Sequence, residues 1–159
     1  MQDRSETLFN PRDEELMRIA IAAAITARDV DEVPIGACLI NETGEVIATG
    51  YNRTITDNDP TAHAEIIALR AAAENVGNYR LTGTTLYTTI EPCVMCAGAI
   101  VNARVSRLVY GAADERFGAV ETLFRICDDA RLNHRVDVTA GILASECREM
   151  MQTFFKARR

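Results

Sequence analysis

The chain has 159 residues, of which 48% are apolar, and a formal net charge of -6 at neutral pH. This length and apolar content suit the core of one domain and are too small to indicate two, so we expect a single globular domain over residues 1–159. No apolar run approaches the roughly 20 residues needed to cross a bilayer, and residues 1–11 are charged and polar rather than typical of a signal peptide. We therefore expect a cytoplasmic protein with no membrane partner.

The cysteines and the charged residues narrow the class of function. Five cysteines are an odd number for a disulfide framework, and a domain of this size folds without disulfides, so thiol or metal chemistry is favoured. The acidic balance weighs against nucleic-acid binding, because phosphate contacts normally leave an electropositive surface. It does not exclude a local basic patch, since 16 of the 17 basic residues are Arg, whose planar guanidinium suits phosphates and base edges.

The first third of the chain predicts a helix followed by a hairpin. Asn10 is a side-chain cap, Pro11 suits the first helical turn, and apolar residues then recur at helical spacing to about Arg28. Two strand-like runs follow, and the polar residues between them are typical of a hairpin loop. These runs cover residues 34–40 and 46–51, with the loop at residues 41–44.

The rest of the chain alternates helical and strand-like patterns. A helical pattern begins at Thr61, continues to Glu74 and is stopped by Gly77. The later segments predict, in chain order, a strand over 84–89, a helix over 93–102, a strand over 104–110, a short helix over 121–127, an edge strand over 136–139 and a closing helix over 145–156. Two strands joined through a helix indicate a parallel crossover, so the sequence predicts a three-layer α/β domain.

Two short segments contain residues that bind metals and transfer protons. They are residues 63–65, which read His-Ala-Glu, and residues 92–96, which read Pro-Cys-Val-Met-Cys, and each lies at the start of a predicted helix. Cys93 and Cys96 are three positions apart, so they share a helix face and can bind one ion together. A helix N-terminus also favours thiolates, because its free amide groups and dipole stabilise negative charge. His63 is the candidate third ligand.

Two thiolates and one imidazole predict a catalytic zinc site with an open position. They neutralise Zn²⁺, which they suit better than magnesium or calcium, and leave the fourth tetrahedral position for water. Zinc lowers the pKa of such a water from about 16 towards about 7. Glu65 is the candidate for taking the water proton and returning it to a ring nitrogen and a departing amine. These residues predict hydrolytic attack at an amidine-like carbon with release of ammonia.

Other interpretations of the same residues stay open. A Cys-x-x-Cys pair in an α/β protein is also typical of a redox pair or of half a structural zinc knuckle, and a binding module with structural zinc would have no turnover. A knuckle needs a fourth ligand at close spacing, and the remaining candidates are scattered along the chain. We expect Cys38, Cys127 and Cys147 to be buried as small apolar side chains, and His134 to have a surface or hydrogen-bonding role.

The two segments together match the signature of the zinc-dependent nucleobase deaminases, His-x-Glu followed by Pro-Cys-x-x-Cys. Beyond this signature, nearly the whole chain resembles the bacterial tRNA-specific adenosine deaminases in the order and spacing of its motifs. The resembling stretches are residues 51–53, 59–69, 78–81, 91–99, 111–114, 133–135, 141–143 and 146–147.

The resemblance implies a fold, a reaction and partners. The fold is a cytidine deaminase-like three-layer α/β/α sandwich with a mixed five-stranded sheet. The reaction is hydrolytic deamination of adenosine to inosine at the wobble position of a tRNA anticodon, by attack of a zinc-activated hydroxide at C6 with a glutamate as proton shuttle. The implied partners are a tRNA anticodon stem-loop, one Zn²⁺ per subunit and a second copy of the chain in a homodimer.

The resemblance also assigns roles to individual residues. By matching position, the three zinc ligands are the residues already named, and Glu65 is the catalytic residue. Asn52 matches an asparagine that hydrogen-bonds the flipped base, although it is also an ordinary residue for a turn after a strand. Asp114 matches a loop residue near the substrate backbone, for which a solvated loop acid is the alternative interpretation.

Some features favour a deaminase of a free base such as guanine or cytosine, which has the same fold and signature. Glu121-Thr122 stands where the family favours two small residues, and an acid near the RNA would repel phosphate. The basic C-terminal extension of some members is reduced to residues 156–159, and the net charge is acidic. Asn133-His134-Arg135 and the arginines towards the end of the chain favour tRNA.

Overall fold

The computed structural model describes residues 10–158, so most of the polar start of the chain and the terminal Arg159 lie outside the described residues. The elements in chain order are helix α1 (Pro11–Asp29), strands β1 (Gly36–Ile40) and β2 (Val46–Tyr51), helix α2 (Ala64–Val76), strand β3 (Thr85–Ile90), helix α3 (Val94–Asn102), strand β4 (Arg107–Ala112), a 3-10 turn (Ile126–Asp128), strand β5 (Asp137–Ala140) and helix α4 (Ala144–Lys156). The helix and hairpin predicted at the start of the chain are both present.

The five strands form one mixed sheet in the order β2-β1-β3-β4-β5. β1 pairs antiparallel with both β2 and β3, whereas β3, β4 and β5 are parallel to one another. The parallel crossover predicted from two strands joined through a helix is the unit β3-α3-β4. The mixed five-stranded sheet that the family resemblance implies is confirmed.

Helices cover both faces of the sheet and create two apolar cores. On one face, α2 and α3 pack against side chains such as Leu39, Leu86 and Leu108. On the other face, α1 and α4 pack against the alternate strand positions, including Cys38 and Val109. Because successive side chains of a strand point to opposite faces, one sheet supplies both cores. The result is the predicted three-layer α/β/α sandwich.

Local sequence determines where the helices begin and end. The side-chain oxygen of Asn10 accepts a hydrogen bond from the backbone N of Arg12 at 3.0 Å, and Pro11 follows, as predicted for the start of α1. α2 ends at Gly77, whose φ of 71° lies in the left-handed region that glycine adopts without strain. Between residues 10 and 158, no helix is long and apolar enough to span a bilayer.

Two predicted elements begin later in the structure than in the sequence analysis. The sequence pattern predicts α2 from Thr61, but the backbone N and the hydroxyl of Thr61 both donate to Asp59 Oδ1, at 2.8 and 2.7 Å. This turn delays the helix to Ala64. The strand expected from Arg104 begins at Arg107, because Arg104 has a φ of 62°, which is incompatible with a strand.

The prediction of a short helix over residues 121–127 is wrong. Only a 3-10 turn at Ile126–Asp128 forms in that region. The backbone N–H groups of Glu121 and Thr122 donate instead to the carboxylate of Glu91, at 2.8 and 3.0 Å. The acceptor for these N–H groups is therefore a side chain distant in sequence, and the local helical pattern contains no sign of it.

Candidate metal centre and active site

The residues singled out in the sequence meet at one edge of the sheet. β3 and β4 are parallel, so the residues after them, which include Cys93 and Asp114, lie at the same edge. β1 is antiparallel to β3, and β2 is antiparallel to β1, so the end of β2 lies at this edge too and brings Asn52 there. His63 directly precedes α2, which packs on β2. The edge at the carboxyl ends of parallel strands is where ligands bind in open α/β sheets.

One close approach helps to place His63. Gly50 of β2 lies so near the first turn of α2 that an added Cβ would collide with the carbonyl oxygen of Ala64 and lie 2.7 Å from the backbone N of Ala68. Only glycine permits this contact between strand and helix. The start of α2, and with it His63, is therefore held close to the end of β2.

The side chains of His63, Cys93 and Cys96 form the only group of three or more potential metal ligands that lie close together within residues 10–158. Their donor atoms all lie within 4.8 Å of one another. Nδ1 of His63 lies 3.5 Å from the sulfur of Cys93 and 3.4 Å from that of Cys96. With Zn–S of about 2.3 Å and Zn–N of about 2.0–2.1 Å, tetrahedral geometry separates N and S ligands by about 3.5 Å. Both the donor types and their spacing fit Zn²⁺.

The ligands lie at two helix N-termini, where negative charge is stabilised. His63 and Cys93 are the N-cap residues of α2 and α3, and Cys96 lies in the first turn of α3. A hydrogen bond from Cys96 lowers the pKa of Cys93 to about 4, with further lowering by His63. The same bond, together with burial, raises the pKa of Cys96, and the hydrogen bond with Cys93 raises that of His63. The pKa of Cys93 is thus shifted towards the thiolate form that a zinc ligand needs.

Glu65 lies beside the ligand group without belonging to it. It is in the first turn of α2 and only 4% exposed, and its carboxylate is not among the clustered donor atoms. Burial raises the pKa of Glu65 above 4.5, whereas the Cys96 thiol and His63 act in the opposite direction. A carboxyl group next to the metal ligands, but free of the metal, is the arrangement that a proton carrier needs.

Asn52 has a buried polar atom without a partner. The residue is 6% exposed, and its backbone N donates to the carbonyl of Ile35 at 3.2 Å. Within the part of the chain that the structure describes, its side-chain Oδ1 has no hydrogen-bond partner. Such an unsatisfied group costs about 1–3 kcal/mol, so it calls for an explanation. A ligand that donates to Oδ1 supplies one, whereas an ordinary turn residue does not.

Asp114 shapes the loop that follows β4. Its Oδ1 accepts hydrogen bonds from the backbone N of Arg116 at 3.0 Å and of Phe117 at 3.2 Å, which folds the loop into a tight turn. Its backbone N donates to Glu91 at 3.1 Å. Asp114 is half-buried and Phe117 exposed, so the loop presents side chains at the same edge as the metal ligands.

Glu91, two positions before Cys93, is a site residue that the sequence motifs did not indicate. Glu91 is 3% exposed, and its carboxylate accepts hydrogen bonds only from the loop after β4, among the partners found in residues 10–158. Burial favours a higher pKa, but hydrogen bonds from Glu121 and Thr122 outweigh it, and the pKa of Glu91 lies below 4.5. The available signal was an acid directly after a buried strand, where an unpaired charge would be costly.

The scattered cysteines and His134 behave as predicted. Cys38, Cys127 and Cys147 are buried among apolar side chains and lie in the two cores. Nε2 of His134 lies 2.7 Å from the carbonyl oxygen of Val105, which is the predicted hydrogen-bonding role. None of these residues belongs to the metal-ligand group.

The two departures from the family pattern are both tied into the fold. The carboxylate of Glu121 accepts a hydrogen bond from the hydroxyl of Tyr110 at 2.7 Å. In the short C-terminal segment, the guanidinium of Arg158 lies 3.4 Å from the ring centroid of Phe154 and donates to Asp31 at 2.9 Å. Glu121 therefore has a hydrogen-bond partner within the protein, and Arg158 packs on α4.

Comparison with known proteins relates this site to a family. Residues 10–112 match the cytidine and deoxycytidylate deaminase zinc-binding region. A tRNA-specific adenosine deaminase of Haemophilus influenzae is 50% identical over 147 residues, which are 92% of this chain and 85% of that protein. One from Streptococcus pyogenes serotype M1 is 46% identical, over 90% of this chain and 83% of that protein. The chain belongs to the tRNA-specific adenosine deaminase family.

Solved structures agree with this membership. One solved structure comes from a study of A-to-I editing by tRNA:A34 deaminases at the wobble position of transfer RNA. This deaminase superposes on it with a TM-score of 0.82 and 48% sequence identity, and the match covers 86% of this chain and 98% of the other. A guanine deaminase from Nitrosomonas europaea has the same fold, with a TM-score of 0.79, 26% identity and coverage of 92% and 85%. The fold is thus common to deaminases of different substrates.

Proposed function

We propose that this deaminase converts adenosine to inosine by hydrolysis at the wobble position of a tRNA anticodon, with Zn²⁺ as its cofactor. The observation that carries the proposal is the group of His63, Cys93 and Cys96 with Glu65 beside it. The substrate follows from identities of 45–50% to proteins that are themselves named tRNA-specific adenosine deaminases.

In the proposed reaction, a C6–O bond forms and the C6–N bond breaks, so water is consumed and ammonia leaves. When bound, zinc would supply Lewis-acid activation of the attacking water. Glu65 takes one proton from the attacking water and transfers it to the ring nitrogen N1; it then takes the second proton from the new C6 hydroxyl and transfers it to the departing amine, so that the C6 carbonyl forms as ammonia leaves. His63, Cys93 and Cys96 hold the ion, and the burial of Glu65 limits proton exchange with bulk water.

Two further residues are proposed to bind the substrate. The unpartnered Oδ1 of Asn52 accepts a hydrogen bond from the flipped nucleotide, which satisfies a buried atom that has no partner within residues 10–158. Asp114 holds its loop beside the RNA backbone through the turn at Arg116 and Phe117. The target base lies in an anticodon loop and is already unpaired, so moving it into the site costs less than extrusion from a duplex.

We also propose a cytoplasmic homodimer of single-domain subunits, each with one zinc ion. The dimer is supported by the family resemblance and by a shallow groove between α2 and α3, which is lined by apolar side chains that include Leu69 and Ala99. Exposed Tyr79 borders this groove. Light scattering of the purified protein checks the dimer, and a monomeric mass at micromolar concentration would contradict it.

The experiment that tests the function is mass spectrometry of an anticodon stem-loop with adenosine at the wobble position, after incubation with zinc-loaded protein. Free guanine, cytosine and adenine are assayed in parallel for ammonia release. We expect inosine in the stem-loop and no ammonia from the free bases. A stem-loop with guanosine at the same position is the matched control and should not change.

The second candidate function is deamination of a free base. It is favoured by the net charge of -6 and by the fold shared with the guanine deaminase. An unchanged stem-loop together with ammonia from one free base would establish this function and reject the tRNA substrate. A non-catalytic zinc module predicts neither product, and the buried Glu65 beside a three-ligand group gives no reason to favour it.

A further inference from the structure

Glu91 is a buried carboxylate that the proposed reaction does not use. Its Oε1 accepts from the backbone N of Asp114 at 3.1 Å and from the hydroxyl of Thr122. Its Oε2 accepts from the backbone N of Val120 at 3.1 Å, of Glu121 at 2.8 Å and of Thr122 at 3.0 Å. One side chain thus binds both ends of a single loop, residues 114–122, which we call the β4 loop.

The β4 loop also contacts Glu91 itself and the residue that follows it. The backbone N of Ala119 donates to the carbonyl of Pro92 at 2.9 Å, directly before the ligand Cys93. Gly118 lies against Glu91, so that an added Cβ would be 2.5 Å from its Oε1. The absence of a side chain at Gly118 therefore permits the loop to close on the carboxylate. The segment that carries a metal ligand and the segment that carries Asp114 are joined at Glu91.

The outer side of the β4 loop faces solvent beside the metal ligands. Arg116 and Phe117 are exposed, the latter at 64%, and the turn that displays them is closed by Asp114. The loop contains no regular helix or strand, so its shape depends on these side-chain hydrogen bonds. A nucleotide entering the metal site from this edge would pass the loop.

We infer that Glu91 is a positioning residue, which holds the β4 loop in the arrangement that receives the RNA around the target adenosine. This inference rests on the proposed function. Glu91 does not touch the reacting atoms; it acts through Asp114 and the backbone of the loop. Its loss should therefore weaken substrate binding more than it slows the chemical step.

Glu91→Gln tests the inference with little change of shape. The amide oxygen of the new side chain can still accept the three backbone hydrogen bonds that Oε2 now accepts. The Thr122 hydroxyl can rotate and accept a hydrogen bond from the amide nitrogen. The N–H of Asp114 then meets a donor instead of an acceptor, so the anchor breaks at that point. Asp13→Asn is the matched control, because Asp13 is an equally buried carboxylate that pairs with Arg107 in another part of the fold.

We expect Glu91→Gln to bind zinc as the wild type does, with KM for the anticodon stem-loop raised at least about tenfold and kcat changed less than about threefold. Hydrogen exchange at the amide of Asp114 should accelerate by at least about tenfold, since exchange reports local opening. Asp13→Asn should lower the melting temperature but leave KM within about twofold of wild type. A KM for Glu91→Gln within that range, or unchanged exchange at Asp114, would overturn the inference.

Gly118→Ala provides a second route if Glu91→Gln does not fold. It leaves Glu91 intact but introduces the Cβ that collides with it, so the same rise in KM and in Asp114 exchange is expected. A stably folded Gly118→Ala protein with wild-type KM would reject the inference. If the wild type forms no inosine, the proposed function fails and the RNA-receiving role falls with it, whereas the exchange rates still decide whether Glu91 anchors the loop.

Discussion

Nδ1 of His63 lies 3.5 Å from the sulfur of Cys93, although the two residues are 30 positions apart in the sequence. Each is the N-cap residue of its helix, so the N-termini of α2 and α3 meet at this point. Two positive dipole ends directed at one site favour the thiolates that a zinc ion requires. The placement of the two helices on one face of the sheet thus assembles a site that neither helix holds alone.

Removal of one thiol from this site should remove the metal. We expect Cys93→Ser to retain less than about one tenth of an equivalent of zinc after dialysis, because a hydroxyl is a far weaker zinc ligand than a thiolate. Metal content is measured by inductively coupled plasma mass spectrometry. Cys147→Ser is the control, since Cys147 lies in the core on the other face of the sheet and should leave zinc at the wild-type level. Full zinc content in Cys93→Ser would disprove its role as a ligand.

Glu65→Gln should separate metal binding from catalysis. The amide cannot carry the proton, so kcat for inosine formation should fall by about 10²–10⁴-fold, the range typical of a lost general acid–base. Zinc content should be unchanged, because the Glu65 carboxylate is not one of the clustered ligand atoms. Glu74→Gln, an exposed acid on the same helix, should behave as the wild type. The proposed mechanism is refuted by a Glu65→Gln enzyme that keeps wild-type kcat.

Asn52→Ala should reduce activity without reducing stability. Loss of a hydrogen bond to the substrate should lower kcat/KM for the stem-loop by about 10-fold or more. The melting temperature should stay the same or rise, because the variant no longer buries an oxygen that has no partner in residues 10–158. Asn75→Ala, on the exposed side of α2, should keep kcat/KM unchanged. A destabilised Asn52→Ala protein with normal kcat/KM would indicate a structural role instead.

The ion pair of Asp13 and Arg107 should make the free energy of unfolding depend on pH. The Asp13 carboxylate accepts from Arg107 at 2.9 and 2.7 Å and from the Tyr87 hydroxyl at 2.7 Å. Although burial alone would raise its pKa, these bonds hold the pKa of Asp13 below 3.8. Its ionised form therefore stabilises the fold above about pH 4, and this contribution is lost as pH falls through the lowered pKa.

Asp13→Asn should consequently reduce the free energy of unfolding by about 2–3 kcal/mol at pH 7. The loss should be smaller than for a variant that removes the whole side chain, because Asn still offers an oxygen as hydrogen-bond acceptor. The difference from wild type should be constant between pH 5 and 8 and shrink below pH 4. Urea unfolding at several pH values measures it. Asp31→Asn, at an exposed pair with Arg158, should show no such dependence. A difference between wild type and Asp13→Asn that grows below pH 4 would contradict this assignment.

Local signals explain the parts of the structure that could be predicted. The Asn10 cap, the Gly77 stop and the pair Cys93 and Cys96 all act within about one helical turn, so their residues are neighbours in sequence as well as in space. The succession of strand, helix and strand patterns likewise predicted the parallel crossover and the three-layer α/β domain. The same local reasoning failed at residues 121–127, where Glu91 replaces the acceptors that a helix would have used.

The sequence by itself determined the chemistry of this protein: a histidine and two cysteines for zinc, an acid beside them, and the helix and strand segments that carry them. Only the tertiary structure decided which groups meet. The strand order β2-β1-β3-β4-β5 brings the residues after β2, β3 and β4 to one edge, leaves Oδ1 of Asn52 without a partner in the described chain, and joins Glu91 to the β4 loop. These contacts arise from strand pairing and helix packing between distant segments, which local residue preferences do not specify.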